Sequence, residues 1–242
     1  MTGLARSEIL LLARNRIAVF NAALLPVMVF GLFVNGGGDA TLLIGVLGFV
    51  LLGVLYYTLV STYVARREDL VLKRLRVGVL SDVEILAGTA GPAVAVALGQ
   101  MVLFVAGGAI AFGLPVPANA PVLLAGILGG TVVFALIAAL SSAFTRTVEL
   151  AQVTTLPVLL VCLVGAGLTV PVDALPPAVA GTLRWLPLTP TLDLVRLGWL
   201  GRPGEGVLGV LRAAAGPAGL LAAWTVLGWV AVRRWFRWSP RR

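Results

Sequence analysis

The chain carries an apolar run without a charged side chain at residues 122–144, VLLAGILGGTVVFALIAALSSAF. A helix needs about 20 mostly apolar residues to cross the hydrocarbon core of a bilayer, because each residue adds only about 1.5 Å to its length. The run meets that requirement, and Arg146 follows it closely. The pattern therefore predicts a transmembrane helix at 122–144.

The same pattern recurs along the rest of the chain. Five further apolar segments occupy residues 17–34, 42–64, 85–112, 153–170 and 213–232. Of the 242 residues, 60% are hydrophobic and 12% are charged, whereas a soluble domain is about 25% charged. A soluble domain of this size could not cover so much apolar surface. We expect an all-α polytopic membrane protein with a single transmembrane domain over residues 1–242, six spanning helices and both termini on one side.

The charged residues divide unevenly between the two sides that six spans define. Of the 18 basic and 10 acidic residues, 14 basic and 6 acidic ones fall on the side that holds the termini, the 66–84 loop and the 146–149 loop, and 4 of each fall on the other. Lys and Arg gather in cytoplasmic loops, so we expect a plasma-membrane protein with cytoplasmic termini. Orientation and anionic membrane lipids explain the whole surplus, and we expect no nucleic-acid partner.

Residues 1–16 precede the first span. Leu4, Leu11 and Leu12 cluster near one helical face, and Arg6 lies on the opposite side. This pattern predicts a short amphipathic helix in the membrane interface, and the alternative is a frayed terminus that contains leucines. The segment does not resemble a cleavable signal, because charges interrupt its apolar part and no small-residue cleavage site follows the first span.

Several kinds of catalytic chemistry are excluded by residues that the chain lacks. It has no histidine, and its single cysteine, Cys162, lies inside an apolar run, which excludes His-dependent triads and His- or Cys-based metal sites. The only lysine, Lys73, follows Val-Leu rather than a glycine-rich phosphate loop. The span interiors carry essentially no carboxylates of the kind that relay protons. We expect no enzyme activity, metal or cofactor in this chain, so energy for uphill transport would come from another chain.

The loop between the second and third spans, residues 66–84, reads RREDLVLKRLRVGVLSDVE. Its leucines recur among charges as in a short helix, and Ser81 and Glu84 have the spacing of a capping box at the start of the next helix. Such a helix would present Lys73, Arg74 and Arg76 outward. The residues alone leave open the alternative that the loop is simply a solvated basic segment.

The stretch after the fifth span, residues 170–200, contains five prolines and is too apolar for a solvated loop. We expect short helices at 174–185 and 191–200, separated by the LPLTP segment that includes Pro187. Neither helix is long enough to span, and short helices at membrane depth must be buried by protein or line a cavity. This predicts a re-entrant or outer-leaflet hairpin over 171–212, in which Asp193 and Arg196 can pair.

Taken in this order, the segments resemble the permease subunit of type-2 ABC exporters. The resemblance rests on the interfacial N-terminal helix, the six spans, the basic segment 72–76 (LKRLR) after the second span, Pro171 with the 175–177 LPP segment, and the 186–190 LPLTP segment with Arg196. It covers nearly the whole chain, and the outer segment is its most specific part.

The resemblance implies that two permeases pair, as a homodimer or heterodimer, and that each docks on a separate cytoplasmic ATPase that binds ATP-Mg. The coupling helix would occupy 69–77, with Leu72 and Leu75 as buried anchors and the cations giving steering and register. The residues assigned to ATPase coupling are Asp69, Leu72, Lys73, Arg74, Leu75 and Arg76. The outer-hairpin candidates are Pro187, Asp193 and Arg196.

A weakly polar, aromatic passage would suit a hydrophobic drug or antibiotic, which makes efflux the first expectation. Its candidate lining residues are Phe30, Tyr56, Tyr57 and Tyr63, although a tyrosine at the end of a span is also typical of the interfacial belt. The runner-up is a lipid or polysaccharide exporter of the same architecture. The alternatives from other classes are a lipid enzyme built on Asp193, Arg196 and Glu149, and a non-transporting scaffold or immunity protein.

Overall fold

The computed structural model describes residues 39–78, 80–168 and 175–238, together with Met28 and Gly31. Throughout these residues the chain is helical, joined by short turns, and its extended pairing is limited to an isolated bridge between Arg202 and Glu205. The expected all-α architecture is confirmed. The predicted interfacial helix 1–16 and most of the predicted first span, including Phe30, lie outside the described residues.

Nine α-helices and one π-helical segment make up the described chain. They are α1 (Ala40–Phe49), the π segment (Val50–Tyr56), α2 (Tyr57–Glu68), α3 (Val71–Arg76), α4 (Asp82–Phe112), α5 (Ala120–Phe144), α6 (Val148–Gly165), α7 (Pro177–Leu183), α8 (Leu188–Leu200) and α9 (Val207–Trp235). The segments α1, π and α2 form one continuous helix. Five helices of the described chain are long and apolar enough to cross a membrane, namely Ala40–Glu68, Asp82–Ile110, Ala120–Phe144, Val148–Gly165 and Val207–Trp235.

Polar residues at the helix starts explain why several of these helices begin where they do. Each N-cap side chain accepts a hydrogen bond from the backbone N–H three residues on, and the four caps are Asp39, Ser81, Asn119 and Thr147. Such a bond satisfies one of the backbone donors that a helix start leaves without a partner. At Ser81 the predicted capping box with Glu84 is confirmed. The Thr147 cap explains why α6 begins at Val148, five residues before the predicted start of the fifth span.

Helix α5 lies at the centre of the bundle, where it contacts α2, the π segment, α8 and α9. Its contact with α8 depends on glycine. A Cβ atom at Gly198 would lie 2.3 Å from the backbone nitrogen of Leu123, and one at Gly130 would lie 2.4 Å from Thr191 Cγ2. Small residues let membrane helices approach closely, so α8 runs directly along the half of α5 nearest its N-terminus.

The short helices α7 and α8 replace the predicted pair at 174–185 and 191–200. Pro190 lies inside the first turn of α8 rather than in the break between the two helices. A proline is tolerated there because the first backbone N–H groups of a helix have no acceptor within it. Backbone bonds from Ala118 and Asn119 to the carbonyls of Trp199 and Gly198 join the end of α8 to the start of α5.

Candidate coupling site at the basic end

One end of the bundle, here called the basic end, holds the end of α2, all of α3, the start of α4 and the residues that follow α9. Helix α3 begins directly after Leu70, which adopts the left-handed conformation (φ 58°) and turns the chain sharply away from α2. The helix has only six residues, too few to be stable alone. Its position therefore depends on its contacts with α2 and α4.

The exposed surface of α3 is cationic. Lys73, Arg74 and Arg76 are exposed, Leu75 is half-buried, and Asp69 is exposed just before the helix. Leu72 is completely buried within the chain, which corrects its assignment as an anchor in a partner's groove. Among the described residues of this region, the exposed apolar side chains are Leu70, Val77, Leu80 and Val83, with Val77 at 85%.

Arg76, the last residue of α3, is held from two directions. Its Nε lies 3.2 Å from Asp82 Oδ1 at the start of α4. Its guanidinium carbon lies 4.8 Å from the ring centroid of Trp238, in the segment after α9. A cation within about 6 Å of an aromatic face is attracted by the ring quadrupole. The end of α3 is thus connected both to the next helix and to the C-terminal segment.

Arg67 joins the end of α2 to the end of α5. Its side chain is 1% exposed, and its Nη1 donates to the Ser142 carbonyl at 2.6 Å while Nη2 donates to the Thr145 carbonyl. The last carbonyls of a helix receive no hydrogen bond from a backbone N–H within the helix, and a cation at that end also interacts favourably with the helix dipole. From the sequence, Arg67 is only one of the basic residues that flank the second span. The one sequence feature that could have indicated this role is its position: Arg67 lies between Arg66 and Glu68, about one helical turn beyond the end of the apolar run.

The tyrosines predicted to line a substrate passage have internal contacts instead. Tyr56 is fully buried, and its hydroxyl lies 3.1 Å from Ser141 Oγ. Tyr63 is 2% exposed and donates to the Leu86 carbonyl at 3.1 Å. The structure therefore corrects the assignment of Tyr56 and Tyr63 to a passage, whereas the half-buried Tyr57 keeps it as a prediction.

The outer-hairpin candidates lie at the other end of the bundle. Pro187 is the N-cap of α8, and its carbonyl accepts the Thr191 hydroxyl at 2.8 Å. Asp193 is half-buried and Arg196 is exposed, and within the described chain no ion pair joins them, contrary to the prediction. Burial raises the pKa of the Asp193 carboxyl, and the charges of Arg196 and Arg184 partly oppose that shift.

A surface cavity of about 210 Å³ opens near the same end, between the starts of α5 and α9. The charged residues that line it, Arg202 and Glu205, already form an ion pair at 3.0 Å. Over residues 39–78, 80–168 and 175–238 there is no group of His, Cys, Asp and Glu side chains that could hold a metal. The basic end is therefore the better candidate for a functional surface.

Comparison with known proteins bears on the same chain. The family model described as ABC-2 family transporter protein matches residues 15–233. The match includes the first four spanning helices, α3, the α7–α8 pair, and α9 up to residue 233. No curated protein matches the chain significantly.

Proposed function

The chain belongs to the ABC-2 transporter family, and from that premise we propose that it exports a hydrophobic small molecule, such as a drug or antibiotic, with ATP hydrolysed by a separate subunit. The permease pairs with a second permease in the plasma membrane, and its basic end faces the cytoplasm. Membership of the family supports a partnership with an ABC ATPase in general. The cargo, the pairing and the orientation are parts of the proposal.

The observation that carries the proposal is the exposed cationic surface of α3. Lys73 and Arg74 extend from a short helix that is fixed at its start by the buried Leu72 and at its end by Arg76. Fixed cations favour fast and correctly oriented association with an acidic surface. A helix held in this way can receive a displacement from an ATPase and pass it to the spanning helices that it contacts.

The character of the spans supports an apolar cargo. In each of the five spanning helices an 18-residue window has high hydropathy and at most two charged residues. A passage lined by such helices can offer apolar contacts and few fixed charges, which suits a hydrophobic ligand. It would not compensate a charged cargo for its lost hydration.

The test is co-purification of the tagged full chain with its ATPase from membranes, followed by ATPase assay in lipid nanodiscs. We compare Lys73→Gln/Arg74→Gln with Arg233→Gln/Arg234→Gln, which removes the same charge from exposed residues of α9 at the same end. Two partly exposed ion pairs contribute about 1–2 kcal/mol together, so the α3 double variant should bind the ATPase about 5–30-fold more weakly. The α9 variant should stay within about twofold of wild type.

Absence of any ATPase from the wild-type preparation would refute the proposal, and so would equal weakening by both double variants. The cargo is tested separately in proteoliposomes that contain the complex and ATP. ATP-dependent movement of a hydrophobic fluorescent dye supports the small-molecule assignment. Movement of a fluorescent phospholipid with no movement of the dye would replace it with lipid export.

A further inference from the structure

The residues after α9 fold back along the basic end toward α3. Helix α9 ends at Trp235, and the backbone of Phe236 turns extended (ψ 133°) while its N–H still donates to the Val232 carbonyl at 2.9 Å. Phe236 then packs against the main core, and Trp238 is half-buried. The segment 236–238 is therefore ordered against the bundle.

Three aromatic rings connect this segment to the spans. The rings of Trp238 and Phe236 meet edge to face with centroids 4.9 Å apart, and those of Phe236 and Tyr63 do so at 6.1 Å. These separations lie within the favourable range for aromatic pairs. Tyr63 is itself fixed, because its ring is buried and its hydroxyl donates to the Leu86 carbonyl of α4. The stack therefore ends on a rigid support between α2 and α4.

The end of α3 contacts the Trp238 ring of this aromatic stack. Arg76 lies over the Trp238 ring at 4.8 Å and also pairs with Asp82 at 3.2 Å. Both partners of the ion pair are about half exposed, so the ion pair alone holds Arg76 weakly. The Trp238 ring adds a second contact from a different direction, which fixes the orientation of the side chain as well as its position.

We propose that Phe236 and Trp238 form a C-terminal clip that holds α3 in the orientation in which it contacts the ATPase, and that Trp238 is a positioning residue for energy coupling. The consequence for coupling rests on the proposed function, whereas the restraint of α3 does not. Loss of a cation–π contact at an exposed site shifts an equilibrium by a factor of about 2–5. The clip therefore affects the orientation of α3 toward the ATPase, and it is too weak to determine whether the protein folds.

The restraint is measured first, without any ATPase. The full chain carries Cys162→Ala and Val77→Cys, since Cys162 is the single native cysteine and is buried while Val77 is 85% exposed. A nitroxide at position 77 reports the motion of α3 in lipid nanodiscs. Trp238→Ala should raise the mobile fraction about 2–5-fold. The matched control, Trp235→Ala, removes an exposed tryptophan outside the stack and should leave the spectrum unchanged.

A double-mutant cycle tests whether Trp238 acts through Arg76. If it does, Trp238→Ala should add no mobility in an Arg76→Gln background, because the contact is already lost. Equal increments in both backgrounds would overturn the proposal, as would an unchanged label in Trp238→Ala alone. Trp238→Phe keeps an aromatic face for Arg76 and should restore most of the restraint.

The coupling role is measured with the ATPase added to the same nanodiscs. Trp238→Ala should lower the affinity of the ATPase about 2–5-fold with an unchanged maximal ATPase rate, and Trp238→Phe should rescue the affinity. Wild-type affinity in Trp238→Ala, with a mobile label, would overturn the positioning role. If the wild-type chain restrains the label but binds no ATPase, the proposed function and the coupling role fall, and the restraint of α3 stands.

Discussion

Replacing Arg67 with methionine tests the junction between α2 and α5. Methionine keeps the length and much of the volume of the side chain, but it cannot donate to the carbonyls of Ser142 and Thr145. A buried acceptor that loses its partner costs about 1–3 kcal/mol. Two such carbonyls give a loss of about 2–6 kcal/mol in the free energy of unfolding, because Arg67 is 1% exposed and water cannot replace it without rearrangement.

The measurement is thermal unfolding in detergent, followed by tryptophan fluorescence from the six tryptophans of the chain. For chains of about this length, 1 kcal/mol corresponds to roughly 2–4 °C in Tm, so Arg67→Met should lower Tm by about 10 °C. Arg67→Lys keeps the charge but offers no planar fork for two carbonyls, so it should lose about half as much. The exposed Arg233→Met should stay within about 2 °C of wild type. If Arg67→Met also stayed within 2 °C, the carbonyl contacts would not stabilise the junction.

Three further predictions use the same unfolding assay. Gly198→Ala would put a Cβ 2.3 Å from the Leu123 nitrogen and should lower the free energy of unfolding by about 1–3 kcal/mol. The control Gly216→Ala has open space around it and should be neutral or slightly stabilising. Equal effects of the two substitutions would contradict the close α5–α8 contact. Tyr56→Phe loses the hydrogen bond to a serine of α5 and should lower the free energy of unfolding by about 1 kcal/mol with unchanged transport. Altered cargo selectivity would show instead that this tyrosine lines the substrate passage. Burial raises the pKa of Asp193, so near that pKa the folded state binds more protons than the unfolded state. The free energy of unfolding should therefore fall as the pH rises through that pKa. Asp193→Asn should remove this pH dependence, and an unchanged pH dependence would assign it to other groups.

The spans were predictable from the sequence because hydropathy over about 20 residues is set by the bilayer and not by neighbouring helices. The start of α4 was predictable too, since a capping box is a local contact between Ser81 and Glu84. The π segment at Val50–Tyr56 carries no comparable local signal. Its wider turns depend on how this helix packs against α4 and α5, and only the folded structure shows that packing.

The candidate site was only partly predictable, for a physical reason that Leu72 and Tyr63 illustrate. Sequence periodicity shows that a side chain lies on an apolar face, but it does not show whether that face meets a partner or the chain's own helices. Leu72 and Tyr63 both meet the chain's own helices. The roles of Arg67 and Trp238 are not predictable from local sequence patterns, because their partners lie far away along the chain, at Thr145 and Arg76.

The contacts at the basic end differ in strength in a way that fits transmission of a displacement. The bond from Arg67 to the end of α5 is buried and charge-assisted, so it belongs to the strong class of hydrogen bonds. The contacts of Arg76 with Asp82 and Trp238 are half exposed and individually weak. A load on α3 would therefore change the Arg76 contacts before it separated α2 from α5. If an ATPase acts on α3, as proposed, α2 and α5 move together as one body, and the contact between Arg76 of α3 and Trp238 is where α3 and the segment after α9 adjust to that movement.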